Sequence, residues 1–315
     1  MRSLFYAMLA VVPWVAFTLL LRLLVAMGGW PVGLVGTFSR IITLPLLGTW
    51  ILATGAGWRR LRPNGALGWL LVMGAISIAI NLCWFASVKW TTATNVAMLM
   101  RFDLVFVVLI GSLSGLERLG AAQLALVPTM LVGLALLAEV HHFDLGGHLA
   151  GDLLAVVAAL GLASNAFIIR HILRVMDEQT VALYNHAISM LGFVALATAG
   201  GDFARTGEVF AAASGWVPML AVGVVAAVSL PLYYVALGRM DVWKLRAFML
   251  SAPVITAAFE WVLWGLRLAW AQRLGAAIIL IGLGVLIRIE ARHKAPDQSA
   301  APSGVEPVVS SEPPA

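Results

Sequence analysis

The chain has 315 residues, 62% hydrophobic and 11% charged, with a formal net charge of +5 and a mean hydropathy of +0.97. Soluble domains run at roughly 45–50% apolar residues, so a water-soluble globule is excluded, and the basic excess reads as a membrane-orientation signal with no nucleic-acid partner implied. Cys83 is the single cysteine, which rules out an internal disulfide and a thiolate metal set.

A hydrocarbon core about 30 Å thick needs roughly 20 apolar residues per helix. Runs of that kind fall at about 4–26, 32–54, 66–88, 92–113, 119–139, 150–173, 180–200, 216–238, 242–264 and 269–288. They predict an all-α integral membrane protein with ten transmembrane helices in a lipid bilayer. The runs lack the ten-residue alternation of outer-membrane strands, which sets a barrel aside. The first run follows Arg2 but exceeds a signal-peptide core and has no small-x-small cleavage site, so it is read as helix. With the N-terminus inside, thirteen Lys and Arg residues fall in inner loops, among them Arg59, Arg170, Lys244 and Arg246, against four in outer loops. That asymmetry predicts both termini in the cytoplasm. Residues 291–315, rich in Pro, Ser, Ala and Glu, are expected to form a disordered cytoplasmic tail.

A shift of 150 positions superposes Leu82 on Leu232, Ala86 on Ala236, Lys89 on Arg239, Ala97 on Ala247, and Gly115-Leu116 on Gly265-Leu266. Five helices per copy is an odd number, so the copies cross the bilayer in opposite senses. The expectation is two inverted five-helix repeats, 1–140 and 150–290.

The segments that carry this repeat also resemble a known family. They are GDLLAVVAALGLASNAFIIR at 151–170, LYYVALGRMDV, FMLSAPVITAAFEWVLWGLRL and LGAAIILIGLGVLI in the second copy, with NLCWFASVKWTTATNVAMLM and GLERLGAAQLALVPTMLVGLALL in the first. Together they resemble the EamA-type repeat of the drug/metabolite transporter superfamily. The resemblance implies a transporter of small molecules, export, and a bacterial inner membrane. Two departures stand out. Where the family usually carries Pro early in the fourth helix the chain has Asp103, while Pro253 keeps the equivalent place in the ninth. The family's Gly-Glu is Gly265-Leu266 in the second copy, and in the first Glu117 follows Gly115-Leu116.

Charges at membrane depth are costly and persist when paired or facing a polar interior. Arg40 falls about 12 Å from the outer end of its helix, Arg101 and Asp103 about 14–17 Å, and Arg22 and Glu260 about 6 Å. Depth therefore predicts the pairs Arg40 with Asp103 and Arg22 with Glu260, leaving Arg101 for an anionic substrate group. The alternative for each pair is a buried ion pair that only fixes packing. Trp14, Asn81, Trp84, Asn165, Tyr233 and Tyr234 are candidate pocket linings, against the common role of such residues in helix contacts. Asp103, Glu260 and His186 are candidate proton carriers.

His141, His142, Asp144, His148 and Asp152 lack an established ligand spacing and read as a solvated linker, with no metal. Pro13, Pro45, Pro128, Pro231 and Pro253 permit bends. No P-loop, GxGxxG, HExxH or GxSxG motif occurs, so no cofactor is implied and energy coupling is secondary, with protons as a candidate ion. The expected function is alternating-access export of a small-molecule substrate such as an amino acid. The alternatives are proton-coupled efflux of lipophilic cations and, in another class, a membrane-embedded enzyme acting on lipid-linked substrates.

Overall fold

A computed structural model of the chain describes residues 2–56, 59, 61–63, 65–91, 96, 99–117, 119–137, 149–211, 216–265 and 268–294. Their regular structure is helical: α1 (Arg2–Leu21), α2 (Val32–Ile51), α3 (Leu67–Trp90), α4 (Phe102–Leu113), α5 (Ala121–Leu137), α6 (Leu149–Ile172), α7 (Glu178–Ala199), α8 (Trp216–Arg239), α9 (Val242–Met249), α10 (Ser251–Trp264) and α11 (Trp270–Lys294), with a short helix over Thr206–Ala211 before α8. Single π-helical stretches, Arg22–Met27 and Leu52–Ala56, extend α1 and α2. Eight stretches are long and apolar enough to cross a membrane, one of them Val242–Leu263, which joins α9 and α10. The remaining two predicted crossings, α4 and α5, are shorter apolar helices among the described residues, so length alone does not reach ten. α11 runs on to Lys294; of the predicted tail, residues 295–315 lie outside the described residues.

Large apolar side chains cover the outside, for example Leu71, Val132, Leu191, Val217, Val262 and Ile281. In water this area would drive aggregation, whereas hydrocarbon solvates it. The protein is an integral membrane protein. Inside, Leu104, Met130, Ile172, Tyr234 and Trp243 are fully buried in one continuous core.

The packing is symmetric under exchange of the two halves of the chain. α1 packs on α8 and α3 on α6, which are first-with-third contacts in the two directions; α2 packs on α7 and α5 on α11, second with second and fifth with fifth. Small residues permit the closest of these approaches. A Cβ on Gly275 of α11 would stand 2.3 Å from the Gly133 carbonyl oxygen of α5, and one on Gly36 of α2 would stand 2.1 Å from the Phe193 ring of α7.

α4 and the α9–α10 pair are alike in two details. Arg101 caps α4, and Leu250 separates α9 from α10. Both helices end at a left-handed glycine, Gly115 at φ 67° and Gly265 at φ 68°, a conformation that glycine adopts without a Cβ clash. The sequence difference at their starts also becomes intelligible. Pro253 lacks the N–H that an interior helical position would donate, and Asp103 places a carboxylate in the first turn of α4, where the helix dipole favours it. Proline and aspartate both suit a helix that begins there.

Candidate functional site

Asp103 pairs with Arg246 and not with Arg40. Arg246 Nη1 lies 3.0 Å from Asp103 Oδ2, with side-chain exposures of 12% and 4%. Arg246 Nη2 donates to the Leu162 carbonyl of α6 at 3.2 Å, and the guanidinium carbon sits 5.5 Å from the Tyr233 ring centre. The predicted Arg40–Asp103 pair thus fails because a closer cation is supplied by α9. Arg246 reads in the sequence as a loop cation; α9 instead carries it inward from Val242, beside the break at Leu250. Arg101, at the N-cap of α4, interacts electrostatically with both Asp103 and Arg246. Among the described residues it forms no ion pair within 4 Å.

The walls around this centre come from both halves. Trp14 of α1 lies against Tyr233 of α8, ring centres 6.3 Å apart, and Tyr233 against Tyr234 at 5.8 Å. Tyr234 OH accepts from Asn185 Nδ2 of α7, a residue that sequence reasoning passed over although it adjoins His186. Asn165 of α6, one turn beyond Leu162, donates to Ser77 Oγ of α3 at 3.0 Å, and Asn81 donates to the Ser77 carbonyl at 2.8 Å. Asn165 Oδ1, Tyr233 OH and Arg246 Nε are buried without a hydrogen-bond partner among the described residues. Trp14, Asn165, Tyr233, Tyr234, Arg101 and Asp103 are therefore tied to one polar centre, with Asn81 beside it at Ser77. Trp84 stands on α3 with 36% of its surface exposed.

Arg40 and His186 belong to a separate cluster between α2, α7 and α8. Arg40 Nη1 donates to Ser39 Oγ at 3.0 Å, and its guanidinium stacks 4.5 Å from the Phe193 ring centre. His186 is buried and hydrogen-bonded to the backbone of Ala226. Glu260 lies half-buried on α10; the Arg22 side chain expected beside it is outside the described residues, as are His141, His142, Asp144 and His148. Asp152 accepts from Thr91 Oγ1 at 2.6 Å, which ties α6 to the end of α3.

A third polar group, at the α4–α5 turn, was noted in the sequence only as a family departure. Glu117 Oε1 accepts from Arg170 Nη1 at 2.6 Å and from the Val242 N–H at 2.5 Å, and Oε2 accepts from the Trp243 N–H at 3.2 Å. Arg170 also faces Asp241 at 3.6 Å, and Asp241 holds Lys244 at 2.6 Å. A carboxylate from the first half thus caps the N-terminus of α9, the helix that presents Arg246. Burial pushes the Glu117 carboxyl up from its ordinary value, outweighing the backbone donors of Val242 and Trp243, which lower it.

A helical membrane bundle with a two-fold repeat and buried charges at paired helix breaks defines a transporter architecture. The EamA-like transporter family matches the chain over residues 1–138 and 149–288. The chain belongs to this family, within the drug/metabolite transporter superfamily. A solved structure described only as the crystal structure of a protein is similar in fold, with a TM-score of 0.75 and 20% identity over 90% of this chain and 96% of that one. No curated protein matches.

Proposed function

We propose that the protein is a secondary-active exporter of small amphipathic metabolites that carry a carboxylate, such as amino acids. It works by alternating access between two inverted five-helix halves, in a bacterial inner membrane with both termini cytoplasmic. The observation that carries this reading is the Asp103–Arg246 pair with Arg101 at the two matched helix breaks. Two guanidinium groups and one carboxylate leave one positive charge in excess in a low-dielectric place, where an incoming carboxylate is strongly favoured. Arg101 meets that carboxylate. Asp103 meets an ammonium group, in exchange for part of its bond to Arg246. Trp14 and Tyr233 offer apolar faces to the remainder of the molecule.

Opening of the site requires α9 to move relative to α4 and α6. The Glu117 cap and the Arg170–Asp241–Lys244 chain brace that movement at one membrane face. Energy comes from a gradient of protons or of the substrate itself, with Asp103 as the first candidate for proton exchange and Glu260 and His186 as further candidates.

The test is counterflow into proteoliposomes of the purified chain with a labelled amino-acid mixture. Exchange is expected, and Arg101→Gln should reduce it by at least about tenfold, the size of one lost charge-assisted contact. A carboxylate beside two aromatic rings also suits a lipophilic cation. Uptake of such a cation, driven by a pH gradient and abolished by Asp103→Asn with no amino-acid exchange, would replace the metabolite reading.

A further inference from the structure

The Arg40 cluster has polar capacity that the central site does not use. Thr37 Oγ1, Arg40 Nε and His186 Nε2 are all buried without a hydrogen-bond partner among the described residues, whereas more than about 90% of buried polar groups are satisfied in folded proteins. Thr37 and Arg40 are three residues apart and share a face of α2. Gly33 of α2 packs on Ala197 and Gly36 on Phe193 of α7, an antiparallel register that continues to bring Arg40 level with Ser189 and His186. On the other side, Thr43 Oγ1 donates to the Gly223 carbonyl of α8 at 2.8 Å, which fixes the height of the cluster on that helix. No carboxylate among the described residues lies within 4 Å of the Arg40 guanidinium. A water molecule would satisfy geometry but would leave the charge uncompensated, whereas an anion supplies acceptors and neutralises it.

We propose that Arg40 and Thr37 form a second anion-binding station, which takes the carboxylate group of the transported metabolite. His186, whose Nδ1–H is given to the Ala226 carbonyl, is a neutral neighbour and not an anion donor. The planar guanidinium fork favours a carboxylate over a spherical ion. From Gly223, which takes the Thr43 hydroxyl one turn from Arg40, to Tyr233, beside Arg246, is about 15 Å along α8. Asn185 and Tyr234 bond to each other between the two levels. An anion leaving the Arg101–Arg246 centre thus meets a second cation one step along the same helix. This rests on the carrier reading above and adds to it a route and a second selectivity point.

The test is thermal unfolding of the purified full chain at fixed ionic strength, with acetate as the probe replacing fluoride, and chloride in a parallel series. Acetate is expected to raise the melting temperature saturably in the wild type and in Arg101→Gln, which removes the cation that the central site offers to a carboxylate, with apparent affinity at least about tenfold weaker when Arg40→Gln is added to Arg101→Gln. Arg40→Lys should retain part of the response. If Arg40→Gln does not fold, Thr37→Val must weaken it. An unchanged response in these variants, or no saturable response at all, overturns the station; stabilisation by chloride alone overturns the carboxylate assignment. Silent counterflow with intact acetate binding overturns the carrier reading and leaves the station. Active counterflow with no acetate response does the reverse.

Discussion

Asp103 and Arg246 are worth more as a pair than either is alone, because a buried ion pair offsets a desolvation cost that a single remaining partner still bears. Asp103→Asn is therefore expected to destabilise the protein by about 3–5 kcal/mol, measured by thermal unfolding in detergent. Asp103→Leu combined with Arg246→Met should recover most of that loss while exchange stays absent. A double variant no more stable than the single would show that the pair does not act as one unit. Glu117 gives a second handle, in pH. Burial raises its carboxyl in the folded chain, so the folded state binds the proton more tightly than the unfolded one. Its contribution is then fully present below the ordinary carboxylate range and is lost as pH rises through the raised value. The melting temperature of the wild type relative to Glu117→Gln should climb as pH falls from about 7 to about 5; a constant or opposite difference would contradict this.

At the scale of elements, the apolar runs located the eight membrane-length stretches because bilayer thickness fixes their length, while α4 and α5 are shorter than the runs that predicted them; the 150-residue shift located both helix-ending glycines. The break positions were less legible, since Asp103 and Pro253 look unrelated until both are seen to start a helix. Arg246 was hidden by proximity to the membrane face: within about one turn of a span end, a cation that orients the chain and one that turns inward look the same in sequence. Helix contacts provide a direct check. A Cβ on Gly275 meets backbone atoms at 2.3 and 2.5 Å, whereas one on Gly284 of the same helix meets nothing within 4 Å. Gly275→Ala is expected to cost about 1–3 kcal/mol as overpacking, and Gly284→Ala to be neutral or slightly stabilising, both read by thermal unfolding. Equal effects would mean that α5 and α11 are not held at this distance.

For the whole molecule, the exchange symmetry of the helix contacts links fold to function. Two halves that make the same contacts in both directions can trade roles about a shared site, and the polar centre draws residues from both. The sequence suggested this symmetry through its repeat and suggested Asp103 and Arg101 through their depth. It did not reveal the partner of Asp103 or the Glu117 cap, because both depend on which helices become neighbours across the two halves. The central claim is that the Tyr233 side of this centre opens in turn to each face of the membrane. The most direct measurement is labelling of Tyr233→Cys, with Cys83→Ser removing the native thiol, by a membrane-impermeant maleimide in right-side-out and inside-out vesicles. Alternating access predicts labelling in both orientations, slowed in both by the transported metabolite; labelling from one face only would contradict it.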